Sequence, residues 1–118
     1  MTNKYFTPKL EDIRINYICE IPHKEKDDYI KHILTNEDMI RLMGPYQHTN
    51  IRVEYLTTEQ IESEGWLNKG NNFYKDFWSL SITPTYVLTI RFGDEKRFQG
   101  KCKDINTLKY ICGLLEIN

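Results

Sequence analysis

Residues 14–21 alternate with a period of two. Ile15, Tyr17, Cys19 and Ile21 fall on one side, and Arg14, Asn16 and Glu20 on the other. This predicts a half-buried strand that Pro22 ends. After a polar loop over residues 23–28, Tyr29 to Leu34 fits a short strand better than a helical turn. Thr35 has the chemistry of a helix N-cap, with Asn36, Glu37 and Asp38 in an acid-favouring first turn. Met39, Ile40, Leu42 and Met43 give that helix a short apolar face, and Gly44 and Pro45 stop it. A second strand is predicted over residues 50–56, with Ile51, Val53 and Tyr55 inward.

Thr57 and Gln60 have the spacing of a capping box, which predicts a short helix to about Glu64 with Gly65 at its C-terminal end. Trp66 and Leu67 are expected to fold back onto that helix. Residues 70–72, Gly-Asn-Asn, read as a turn. Three strands then follow, over residues 77–82, 86–92 and 95–101, separated by Thr83-Pro84-Thr85 and Gly93-Asp94. Connections that short force antiparallel hairpins. Asp104 caps a final helix, on which Ile105, Leu108, Ile111, Cys112 and Leu115 share one face.

The pattern therefore predicts an α+β fold. It comprises an antiparallel sheet of about five strands with two or three short helices packed on one face, in a single globular domain over residues 1–118. The other face of the sheet would be wet, and Arg52, Glu54, Thr89, Arg91, Arg97 and Gln99 suit it. Strand order stays open, because the two N-terminal strands are compatible with either edge of the C-terminal run.

Composition adds limits rather than a function. Hydrophobic residues are 40% of the 118, and aromatics 13%, enough for a packed core. Sixteen Lys and Arg against seventeen Asp and Glu leave a net charge of -1, which argues against a strongly basic nucleic-acid binder and against an acidic tail. Neither a signal peptide nor a membrane span is expected. Cys19, Cys102 and Cys112 are an odd, widely spaced set without CxxC, so reduced thiols and a cytoplasmic location are expected, with Cys102 the one that reaches the surface.

Candidate chemistry is sparse. His23, His32 and His48 show neither HxH nor HExxH spacing, and the acidic pairs read as helix first turns and solvated loops. Phosphate-cradling motifs and a serine elbow are missing from the sequence, so no catalytic residue, cofactor or metal is predicted. Aromatics and arginines remain. Tyr, Trp and Arg dominate protein interfaces, and the stretch from residue 66 to 78 is rich in rings. The predicted interaction surface is Trp66, Phe73, Tyr74 and Trp78, with Arg91 and Arg97. Interleaved rings and cations also suit single-stranded nucleic acid, but the patterns of the common RNA-binding modules are missing from the sequence, so nucleic acid is not the expected partner.

Three segments carry a resemblance. They are Tyr5-Phe-Thr-Pro-Lys-Leu-Glu-Asp-Ile13, then Arg52-Val-Glu-Tyr-Leu56 running on into Gln60-Ile-Glu-Ser-Glu-Gly-Trp66, and Phe98-Gln-Gly100 ahead of Asn106-Thr-Leu108. Together they resemble small hypothetical proteins of tailed bacteriophages of gut Bacteroidetes, including crAss-like phages. Thr58-Glu-Gln60 stands where that group more often has an acidic pair, and Glu64 where it more often has Leu. The resemblance implies a phage or prophage origin and carries over no functional residues. The expected function is a non-enzymatic module that binds a host or phage protein in the infected cytoplasm. An accessory structural protein of the virion and a single-stranded nucleic-acid binder are the other readings. A homo-oligomer is compatible with an exposed sheet edge.

Overall fold

The computed structural model describes residues 4–14, 16–22, 29–35, 37 and 51–117. They divide into two units, residues 1–55 and residues 56–118. Apart from Thr35 and Glu37, the helix predicted after residue 34 lies outside the described residues.

In the first unit the alternation around Cys19 becomes strand β2 (Ile18–Pro22), which pairs antiparallel with β3 (Tyr29–Ile33). The ladder begins at Ile18 rather than at residue 14 because Asn16 takes φ 69, a left-handed conformation that breaks an extended run and that Asn tolerates. The Asn16 N–H donates to the Leu34 carbonyl at 2.8 Å, closing the hairpin beyond the ladder. Strand β1 (Tyr5–Phe6) pairs with β4 (Val53–Glu54), so the predicted strand over residues 50–56 contributes only a short ladder. A bridge between Glu20 and Arg52 joins the two ladders in the order β1-β4-β2-β3, with backbone bonds of 2.8 and 3.0 Å. The N-terminal strands thus pair with one another. Tyr17, Cys19, Ile51 and Val53 are buried as the period of two predicts, together with Ile13 and Leu34, and Phe6 and Ile21 pack against them.

The second unit opens with helix α1 (Thr58–Ser63). Its capping box is complete. The Gln60 N–H donates to Thr57 Oγ1 at 3.2 Å, and the Thr57 N–H donates to Gln60 Oε1 at 3.1 Å. The helix ends where Gly65 takes φ +95, and a Cβ there would meet the Lys75 side chain at 3.3 Å. Lys75 Nζ donates to the Glu64 carbonyl at 2.8 Å, supplying a cation to the last turn.

A five-stranded antiparallel meander follows, β5 (Leu67–Lys69), β6 (Asn72–Lys75), β7 (Trp78–Ile82), β8 (Val87–Phe92) and β9 (Glu95–Lys101), in that spatial order. Two of these strands precede the three predicted ones. All three side chains of β5 are exposed, so no alternation announces it. The β6–β7 turn, with Asp76 at φ 55, moves the start of the next strand from residue 77 to Trp78. Paired residues share a face. Phe73, Leu80, Ile90 and Phe98 form one row, and Tyr74, Ser79, Arg91 and Lys96 form a row on the opposite face. A register shift between Ile90 and Arg91 gives β9 one extra residue, a bulge at Lys96–Arg97.

Helix α2 (Ile105–Leu114) buries Ile105, Leu108 and Ile111. The buried Asp104 carboxylate at its N-terminus accepts from Thr107 Oγ1 at 2.6 Å and Asn106 Nδ2 at 2.8 Å, so its partners are first-turn side chains rather than backbone amides. The described chain is mostly strand, with α2 the only long helix of the two.

Candidate interaction surface

Alternate hairpins of a meander turn at the same end. Here the β6–β7 and β8–β9 turns meet, and the Gly93 N–H donates to the Phe77 carbonyl at 3.0 Å. Gly93 takes φ 59, which lets a two-residue turn close β8 onto β9. Phe77 sits in a turn rather than in a ladder, and the residue is 77% exposed. Its ring meets Phe92 edge-on at a centroid distance of 6.1 Å, and Phe92 meets Trp78 at 4.9 Å and 61°. Both geometries place the positive ring edge against a negative face.

Arg97 lies against the same rings. Its guanidinium is 5.3 Å from the Phe92 centroid and 5.9 Å from that of Trp78. Glu95 Oε2 is 3.4 Å from Arg97 Nη2, a solvated ion pair that orients the guanidinium more than it stabilises the fold. Arg97 reaches the rings because of the bulge. The extra residue lets it join Glu95 and Phe92 while Lys96 stays with Gln99, to which its Nζ donates at 3.1 Å. The sequence placed Arg97 beside Arg91 on the wet face; the bulge sends the two apart.

The predicted surface residues therefore separate. Trp78 and Arg97 come together in this cluster. Tyr74 and Arg91 share a row on the other face of the sheet and are exposed. Trp66, 3% exposed, and Phe73, 6% exposed, lie in the core instead. Strand alternation turns Phe73 inward as it turns Tyr74 outward, and Trp66 closes under Lys75, whose Nζ is 5.9 Å from its ring. Phe77 and Phe92 are exposed residues outside the surface that the sequence predicts. The available signal was the Asp76–Phe77 pair as a hairpin turn, which becomes visible only once β6 is recognised.

The first unit holds a second aromatic–arginine arrangement. Arg52 Nε and Nη2 donate to Glu20 Oε1 at 3.0 and 2.8 Å, and its guanidinium lies 3.7 Å from the Tyr5 ring centroid and 3.9 Å from that of Tyr29. The pairings Tyr5–Glu54, Arg52–Glu20 and Pro22–Tyr29 put these side chains on one face, opposite the apolar cluster. A stacked guanidinium with a doubly bonded carboxylate joins β1, β4, β2 and β3 by side chains as the bridge does by backbone.

Thiol chemistry finds little support. Cys102, expected at the surface, is fully buried, while Cys112 is half-buried. Burial, reinforced by the Asp104 carboxylate, pushes the Cys102 thiol up to about 12. Burial also raises Cys112, against the opposing pull of Lys75. Both are thiols at neutral pH, and the thiolate is the nucleophile. His32 lies on β3 opposite Cys19, whereas His23 and His48 lie outside the described residues. Among the described residues, no group of three or more His, Cys, Asp and Glu is placed to hold a metal, and no helix is long and apolar enough to cross a membrane. Comparison with protein-family models, curated proteins and solved structures found no match to this chain.

Proposed function

We propose that this chain is a small non-enzymatic interaction module of phage origin that binds a host or phage protein in the cytoplasm of the infected bacterium. The observation that carries the reading is the Phe77–Phe92–Trp78 cluster with Arg97 against it. Interface hot spots are enriched in Trp and Arg, and burying one exposed ring stabilises a complex by about 1.5–3 kcal/mol. Two short hairpin turns, bonded to each other through Gly93 and Phe77, hold the rings before a partner arrives, so little ordering entropy opposes binding. In this reading α1 and α2 pack on one face of the meander, and the turn end stays clear for the partner. The phage origin rests on the resemblance of residues 5–13, 52–66 and 98–108.

The test is affinity capture of the tagged protein from infected, nuclease-treated cells, read by quantitative mass spectrometry beside a Phe77→Ser variant. The expected result is one host or phage protein enriched by wild type and reduced at least tenfold by the variant. Equal capture by both would overturn the assignment of the surface. Stoichiometric copies of the chain in gradient-purified particles would overturn the cytoplasmic reading in favour of a virion component.

A further inference from the structure

The net charge of -1 conceals how charge is distributed over the meander. The register puts Lys69, Arg91, Lys96 and Lys101 on the face that carries Tyr74, through the pairings Lys69–Asn72, Ser79–Arg91, Arg91–Lys96 and Val87–Lys101. All four cations are exposed. No Asp or Glu occupies a strand position on that face: Asp76 and Asp94 sit in the turns at one end, and Glu95 belongs to the opposite face with Phe92. None of the four has a carboxylate partner among the described residues. The bulge contributes directly. Without the extra residue in β9, Lys96 and Gln99 would fall on opposite faces.

The ground between the cations is uncharged and mostly hydrogen-bonding, with Leu67 and Val87 its apolar members. Ser79, Ser81 and Thr89 supply hydroxyls, and Gln99 Nε2 reaches Thr89 Oγ1 at 3.5 Å. Tyr74 presents an exposed ring in the same row as Arg91 and Lys96. With neighbouring strands about 4.8 Å apart, the cations on β5 and β9 span about 19 Å across the face. We infer that this face binds single-stranded nucleic acid, with the four cations on the phosphates, Tyr74 stacking on a base, and the hydroxyls and amides on sugar and base edges. An acidic peptide would use the charge alone. A ring and uncharged hydrogen-bonding groups set among the cations suit a ligand that alternates phosphate with a flat heterocycle. The face lies away from the Phe77 cluster, so this inference is independent of the proposed protein partner.

Fluorescence anisotropy of the full chain with a labelled twelve-nucleotide single strand, across a salt series, tests it. Four phosphate contacts predict a log–log slope of binding on salt of about -3. Arg91→Ala with Lys96→Ala is expected to weaken binding at least tenfold and flatten the slope by about 1.4. Tyr74→Ala is expected to weaken binding about tenfold at unchanged slope, because stacking releases no counterions. Phe77→Ser is expected to leave binding unchanged, which separates this face from the aromatic end. Circular dichroism of each variant confirms folding. Absence of salt-dependent binding would overturn the inference. So would equal competition by polyglutamate with no effect of Tyr74→Ala, since the face would then recognise charge alone.

Discussion

Trp66 illustrates how little a residue type says about its place. As a Trp in an aromatic-rich stretch it fits an interface, yet it is buried, and its indole Nε1 has no hydrogen-bond partner among the described residues. What places it inside is its position after Gly65, whose left-handed backbone turns the chain from α1 back under Lys75. Without such a partner, the ring contributes through the core volume it fills. Trp66→Phe is accordingly expected to cost no more than about 1.5 kcal/mol, and Trp66→Ala about 3–5 kcal/mol. Urea denaturation of both variants checks this, and a Phe variant as damaged as the Ala variant would mean that the N–H is bonded. Cys102 carries the same lesson: expected at the surface, it is fully buried, while Cys112 on the last helix is half-buried.

At the scale of elements, legibility follows range. The Thr57–Gln60 capping box was readable because both bonds span three residues and need nothing from the rest of the chain. Thr57→Ala is expected to lower stability by about 1 kcal/mol and Gln60→Ala by about 0.5 kcal/mol. The double variant should lose less than the sum, because each hydrogen bond completes the same turn. Denaturant midpoints of the three variants measure the coupling, and strict additivity would contradict a reciprocal box. Strand β5 and the β9 bulge were not readable. The first is three exposed residues held by its partner β6, and the second is a mismatch between two strands. Neither leaves a mark on its own segment.

Over the whole molecule, the unevenness of the ladders predicts a gradient of protection. Strands β7 and β8 are paired on both sides, and Leu80, Leu88 and Ile90 are essentially inaccessible. The β1–β4 ladder holds two residue pairs. Amides bonded within β7 and β8 are expected to exchange at least a hundredfold more slowly than those of β1 and β4, as measured by native-state hydrogen exchange with mass spectrometry or NMR. Equal protection would mean that all the strands open together.

Features that depend on near neighbours were legible in the chain: the period-two strands, the hairpin run after residue 77, the capped helix with its glycine stop, and the apolar stripe of the last helix. Each rests on backbone geometry that repeats every two to four residues. Tertiary packing was needed to settle how the N-terminal strands pair, that the bulge separates Arg97 from Arg91, that Phe77 joins Phe92 and Trp78 at one end of the meander, and that four cations share one face. Those outcomes depend on register between distant segments, and a shift of one residue in register moves every side chain of a strand to the other face.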